Sequence, residues 1–179
     1  MSSLPLPHIT DNDFVLFGLH ERHALDRTQL DERRRALQAQ VHPDRFAAVG
    51  AAAQRVAMQW AVRVNEAYSR LKDPLKRAAY LCEQRGVAID AERNTAMPTA
   101  FLMRQMQWRE ALDEAADAQA VQALDDAVAR DERAGLARLT QLLDVAGDTA
   151  AAAAEVRALM FVARFREDIS RRLEALDAH

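Results

Sequence analysis

Residues 37–51 read Leu37-Gln38-Ala39-Gln40-Val41-His42-Pro43-Asp44-Arg45-Phe46-Ala47-Ala48-Val49-Gly50-Ala51. Helical patterning runs into this stretch over 27–41 and out of it over 51–72, and the break between them decides the fold. Val41 precedes a proline, and the residue before a proline is pushed out of the helical region, so the first helix ends there. Pro43 fixes its own φ and stiffens the turn. Phe46, apolar in a loop of small residues, reads as an anchor to the core. The expectation is a helical hairpin that displays His42-Pro43-Asp44 at its tip.

Composition extends that expectation to the whole chain. Half of the 179 residues are hydrophobic, and there are only 5 Gly and 5 Pro. Alanine is heavily used and β-branched residues are sparse, which favours helix. The fold class expected is all-α. No run of about 18 apolar residues exists to span a membrane. The N-terminus lacks the basic and apolar regions of a secretory signal. The single cysteine, Cys82, allows no internal disulfide and no multi-cysteine metal site. In its apolar context Cys82 reads better as a small buried hydrophobe than as a reactive thiol. A reducing compartment follows, and we expect a cytoplasmic protein.

Net charge is −3, which gives no reason to expect nucleic acid. Its distribution is uneven. Residues 1–84 carry 12 Lys/Arg against 10 Asp/Glu, whereas residues 85–179 carry 12 against 17. The two parts are built for different partners.

Taken in order, 1–10 is a flexible tail and 11–85 a first domain. Asp11-Asn12-Asp13 caps a short helix over 13–18 with Phe14, Phe17 and Leu19 inward, closed by Gly18. Asp26 caps 27–41, whose inner face holds Leu30, Leu37 and Val41. Val56, Trp60, Ala67 and Leu71 line one side of 51–72. Asp73-Pro74 stops that helix and starts the next, over 75–84. Residues 86–97 read as a linker. Three further helices are expected over 98–116, 118–146 and 149–177, with Asp117 and Asp148 as caps. Val121, Leu124, Val128, Leu139 and Leu142 share one face of the second, with Gly135 in the same stripe. That glycine costs about 1 kcal/mol in a helix, and close approach of a neighbouring helix would explain it. The third buries Leu159, Val162, Ile169, Leu173 and Leu176. Short connections make neighbours antiparallel, giving a three-helix bundle over 98–179.

Two stretches point to chemistry. His42 is a general-base or ligand candidate, but His20 and His23 complete no ligand set and no Ser or Cys nucleophile is paired with it. A purely structural turn is a second reading. A docking signal is the third and strongest: the stiff turn presents the Asp44 carboxylate in a fixed orientation suited to a partner arginine. Arg33, Arg35 and Arg45 add a positive field that speeds encounter with an acidic partner, or are a solvated face. Arg34 lies nearer the apolar side and lays its stem over the core. The second stretch is 101–115. At 100° per residue, Phe101, Trp108, Leu112 and Ala115 fall within about 40° of one direction. Leu102, Met103 and Met106 fall at about 100°, 200° and 140° from Phe101, on the far side, continued by Glu110, Asp113 and Glu114. A second apolar strip tipped with acid marks a partner site, or else a helix buried on both sides. Phe161 on the last helix extends the strip.

These residues carry a resemblance. The hairpin with His42-Pro43-Asp44, then Val64-Asn65-Glu66-Ala67-Tyr68 and Asp73-Pro74-Leu75-Lys76-Arg77-Ala78-Ala79-Tyr80, closely resembles a J domain, the co-chaperone module of DnaK-type chaperones. Ala100-Phe101-Leu102-Met103 with Arg109-Glu110-Ala111-Leu112-Asp113-Glu114 is similar to the C-terminal domain of the HscB family, the J-type co-chaperones of iron–sulfur cluster assembly. Tyr80-Leu81 and Phe14-Leu16-Phe17-Gly18-Leu19 fit the same family, so the resemblance spans nearly the whole chain. It implies two docking surfaces and no bond chemistry. The DnaK-type chaperone HscA would be met by His42, Pro43, Asp44, Arg33, Arg35 and Arg45. The scaffold protein IscU would be met by Leu102, Met103, Met106, Glu110, Glu114 and Phe161. Gln107 stands where the family often has an acid, Met106 where it usually has leucine, and Arg45 where most J domains have lysine. Some eukaryotic relatives carry a cysteine-rich N-terminal metal module; this chain has no cysteine there. No metal, cofactor, small-molecule substrate, nucleic-acid or membrane partner is expected. The rivals are a generic J-domain co-chaperone with another client on its bundle, and a helical enzyme.

Overall fold

The computed structural model describes residues 7–42, 44, 48–91, 97 and 99–177. These are all-helical, with seven α-helices and one π-helical turn. Asn12 caps α1 (Asp13–Phe17) by accepting from the Val15 amide, and Gly18 closes it. Asp26 caps α2 (Arg27–Val41) by accepting from the Thr28 and Gln29 amides. After α3 (Ala51–Lys72), Asp73 accepts from the Leu75 and Lys76 amides and opens α4 (Pro74–Gln84). Each cap replaces a hydrogen bond that the first helical turn cannot make for itself.

Packing divides the chain into two compact units, residues 1–80 and 81–179. The first is built on the α2–α3 hairpin with α1 laid across it. Phe14, Leu16, Phe17, Leu30, Val64, Ala67 and Leu71 are fully buried. Leu19, Leu37 and Val41 are only half-buried. Val56 departs from the expected face and is 53% exposed. Near the start of α3 the inner face is taken by Ala57, so Val56 falls beside the seam and not in it. The core also hides charge that the local sequence does not signal. Asp13 is fully buried, with Arg63 Nη1 and Arg70 Nε each 2.7 Å from its carboxylate. The Asp13 amide donates to the Tyr80 hydroxyl at 3.0 Å. Arg63 also donates to the carbonyls of Ile9 and Asp11, which fastens the approach to α1 onto α3. His23 is buried too, its ring against the Pro74 carbonyl and its own carbonyl accepting from Arg77.

The second unit takes in the end of α4. Of the expected linker, residues 92–96 lie outside the described ones; Ile89 is buried and its carbonyl accepts from Arg157. Helices α5 (Thr99–Glu114), α6 (Ala118–Thr140) and α7 (Thr149–Asp177) form the bundle, with Asp117 and Asp148 as caps of α6 and α7. The expected helix over 118–146 is not α-helical throughout. Residues Gln141–Ala146 form a π-helical turn closed by Gly147 at φ 67°. The wider turn rotates Leu142 partly out of the seam and brings Leu143 in. Close approach accounts for Gly135: a Cβ there would lie 2.7 Å from Leu159 Cδ2. Arg166 ties α7 to α6 through Asp125 at 3.0 Å and Glu132 at 2.7 Å. Cys82 is a buried free thiol, and burial pushes it up to about 11, so it is uncharged near neutrality.

Candidate functional site

The hairpin tip comes first. Val41 is the last residue of α2, and His42 leaves the helix at φ −62°, ψ 127°, the extended geometry a following proline demands. The His42 ring folds back along the turn. Its Nδ1 accepts from the Asp44 amide at 3.3 Å and lies 3.5 Å from Asp44 Oδ2. Both side chains face water, and that of Asp44 is 90% exposed. The turn thus fixes the Asp44 backbone through its amide, while the carboxylate stands out in water. Pro43, Arg45 and Phe46 lie outside the described residues.

Arg33, Arg34 and Arg35 occupy different surroundings. Arg35 is exposed, with Nε on the Asp31 carbonyl at 3.3 Å. Arg34 stacks on Tyr68, its Cζ 4.1 Å from the ring centroid, so its charge serves packing. Arg33 is half-buried rather than projecting freely, because it lines a groove between α2 and residues 7–19. Among the described residues no group of His, Cys, Asp and Glu is arranged to hold a metal ion.

In the second unit α5 has two working faces. Its inner face carries Trp108, which stacks on Phe165 with centroids 6.0 Å apart and meets Phe101 edge-on. Leu112 and Ala115 continue that face. The outer face carries Leu102, Met103 and Met106, at 43%, 61% and 72% exposed. Glu110, Asp113 and Glu114 follow, all exposed. The helix is thus not buried on both sides. Three large apolar side chains within two turns thus leave much of their surface to water, followed by three exposed carboxylates. Phe161 bridges the two faces. It meets Phe101 edge-on, stacks on Phe165, and lies under the Arg109 guanidinium, whose Cζ is 5.4 Å from its centroid. Phe165 is the contact that sequence reasoning missed. Its spacing of four from both Phe161 and Ile169 was the available signal.

The comparisons with known proteins bear on both units. Residues 97–170 match the family described as the HSCB C-terminal oligomerisation domain. A co-chaperone protein HscB homolog of Burkholderia mallei is 56% identical over 172 residues, covering 94% of this chain and 98% of the relative. A homolog of Burkholderia multivorans is 55% identical over the same shares. Among solved structures, the chaperone HscB of Vibrio cholerae superposes with a TM-score of 0.84 at 38% identity, covering 92% of this chain and 99% of that one. The human co-chaperone HscB shares the fold, with a TM-score of 0.86 at 24% identity over 95% and 86% of the two chains. The all-α architecture is that of a J domain followed by a helical bundle, and the chain belongs to the HscB family of co-chaperones.

Proposed function

We propose that this chain carries an IscU-type iron–sulfur scaffold protein to an HscA-type chaperone of the DnaK class, and stimulates that chaperone's ATPase, promoting cluster transfer and maturation of iron–sulfur proteins. The observation that carries the reading is the exposed strip of Leu102, Met103 and Met106 on a helix whose other face is packed. Half-exposed leucine and methionine side chains cost solvation in the free chain and regain it when a partner covers them. Glu110 and Glu114 at the end of the strip give it a sign, favouring a basic complement. Phe161 adds a rigid aromatic wall.

The hairpin tip serves the second partner. Asp44, its amide fixed on the His42 ring, offers an exposed carboxylate that suits a guanidinium. His42 positions the turn and contributes contact area. Arg33, Arg35 and Arg45 set the field in which an acidic partner approaches. The ATP chemistry belongs to the partner; this chain moves no bond.

The test is steady-state ATPase of the purified chaperone with this chain added, with and without the scaffold protein. Stimulation greater than either protein gives alone ties both surfaces to one task. Asp44→Asn should remove the stimulation while its circular dichroism matches wild type, because the side chain is 90% exposed. Wild-type stimulation by that variant would end the case for the tip. Stimulation that the scaffold never enhances would mean that the strip serves a different client.

A further inference from the structure

Beside the strip, the seam between α5 and α7 opens into a groove of about 380 Å³. Phe161 is the wall that the groove shares with the strip. Arg109, Arg164 and Arg171 surround it, together with Glu167 and Asp168. Arg171 is tied to Asp168. Arg109 and Arg164 make no ion pair among the described residues, and Arg109 only covers Phe161. Elsewhere in this unit, arginines that fasten helices together are paired, Arg104 with Asp131, Arg138 with Glu155 and Arg166 with Asp125 and Glu132. The two unpaired guanidinium groups therefore stand together at the edge of the apolar strip, on the flank opposite Glu110 and Glu114. By helical position Arg109 and Asp113 fall to one side of Met106, and Glu110 and Glu114 to the other.

We propose that this groove receives a carboxylate side chain of the same protein partner that covers the strip, with Arg164 as its principal reader and Arg109 beside it. The proposal rests on the strip being a docking surface. A guanidinium beside apolar surface that is dried by docking makes a stronger charge-assisted bond than it would in open water. The groove adjoins the strip through Phe161, so one partner surface reaches both. Glu167 and Asp168 face the same groove. Asp168 is engaged by Arg171, and the negative charge of Glu167 disfavours a multiply charged anion such as a phosphate. The partner must then present a basic group to the Glu110–Glu114 flank and an acidic one to the Arg164 flank, which fixes its orientation on the strip as well as its affinity.

Calorimetric titration of the full chain with a purified IscU-type scaffold protein tests this. Arg164→Glu should weaken binding by about tenfold at about 50 mM salt, and the difference from wild type should shrink at about 500 mM, where charges are screened within a few ångströms. Arg164→Ala should lose less. Reversing the sign of one acidic residue of the scaffold should restore binding to Arg164→Glu and weaken it for wild type. Unchanged affinity of Arg164→Glu, with the triple variant Leu102→Ala, Met103→Ala, Phe161→Ala still weakened, overturns the groove and leaves the strip standing. Unchanged affinity of the triple variant overturns both. Sedimentation showing a wild-type dimer that Arg164→Glu dissociates also overturns the proposal, because the occupant would then be a second copy of this chain.

Discussion

Substitutions on opposite faces of α5, at Met103 and Met106 and at Trp108, should separate binding from stability. Met103 and Met106 are 61% and 72% exposed, so most of each side chain contributes nothing to the folded unit. Replacing both by alanine should change stability by no more than about 0.5 kcal/mol per site, as for exposed positions generally. Alanine is also at least as good a helix former as methionine. Full burial of a methionine is worth about 1.5–3 kcal/mol. Covering the exposed remainder of both by a partner is then worth about 3 kcal/mol, and losing it raises Kd by about a hundredfold. Trp108 sits on the other face, 7% exposed, stacked on Phe165 and edge-on to Phe101. Trp108→Ala should cost about 3–5 kcal/mol of stability. The molecules that remain folded should keep an intact strip. Calorimetric titration with the scaffold, alongside thermal unfolding followed by circular dichroism, reads both quantities. A methionine pair that lowers Tm as far as Trp108→Ala would mean that the outer face is packed. A pair that leaves both Tm and Kd untouched would mean that it is exposed but serves no partner.

Gly135→Ala should destabilise the bundle, although alanine favours helix by about 1 kcal/mol over glycine. The new Cβ would meet the buried Leu159 side chain and the Glu155 carboxylate that pairs with Arg138. Overpacking of this kind costs about 1–3 kcal/mol, so urea unfolding should show a net loss, and a gain would mean that α6 and α7 separate easily there. The Cys82 thiol, pushed up to about 11 by burial, should label slowly with a thiol reagent at neutral pH and quickly once the chain unfolds. Its folded pKa is above the unfolded one, so its contribution to stability is intact below about 8.5. That contribution is lost as pH rises towards about 11. A labelling rate equal to that of a free thiol in the native chain would contradict its burial.

Much of the fold is legible locally. Helix starts lie at polar side chains that accept amide protons a few residues ahead, so Asp26, Asp117 and Asp148 are found by inspection, and the first cap falls within Asp11-Asn12-Asp13, at Asn12. The two faces of α5 are likewise a matter of spacing, and the exposure of Leu102, Met103 and Met106 follows it. What escaped depends on distant partners. Asp13 reads as part of an N-cap. Its burial is set by Arg63 and Arg70, about fifty residues away, which no local pattern reports. The π-helical turn escaped for a related reason. Gly147 marks the end of that helix, but nothing between Gln141 and Ala146 announces one extra residue per turn. Val56 escaped because two adjacent positions fit a 3.6-residue period equally well, and only the packed neighbour selects Ala57.

The same distinction explains why the two proposed surfaces differ in how they can be recognised. The hairpin tip is a property of sequence. A proline after His42 ends α2 and sets the extended geometry from which Asp44 projects, whatever the rest of the chain does. The strip is a property of assembly. Leu102, Met103 and Met106 would be ordinary core residues if a fourth helix lay over them, and their meaning comes from α6 and α7 filling only the Phe101–Trp108 side. On the proposed reading, stability and binding lie on opposite sides of one helix. Substitutions on the outer side can alter the partner without threatening the fold. The inner aromatic cluster holds α5 rigid, so that a partner pays little ordering entropy when it docks.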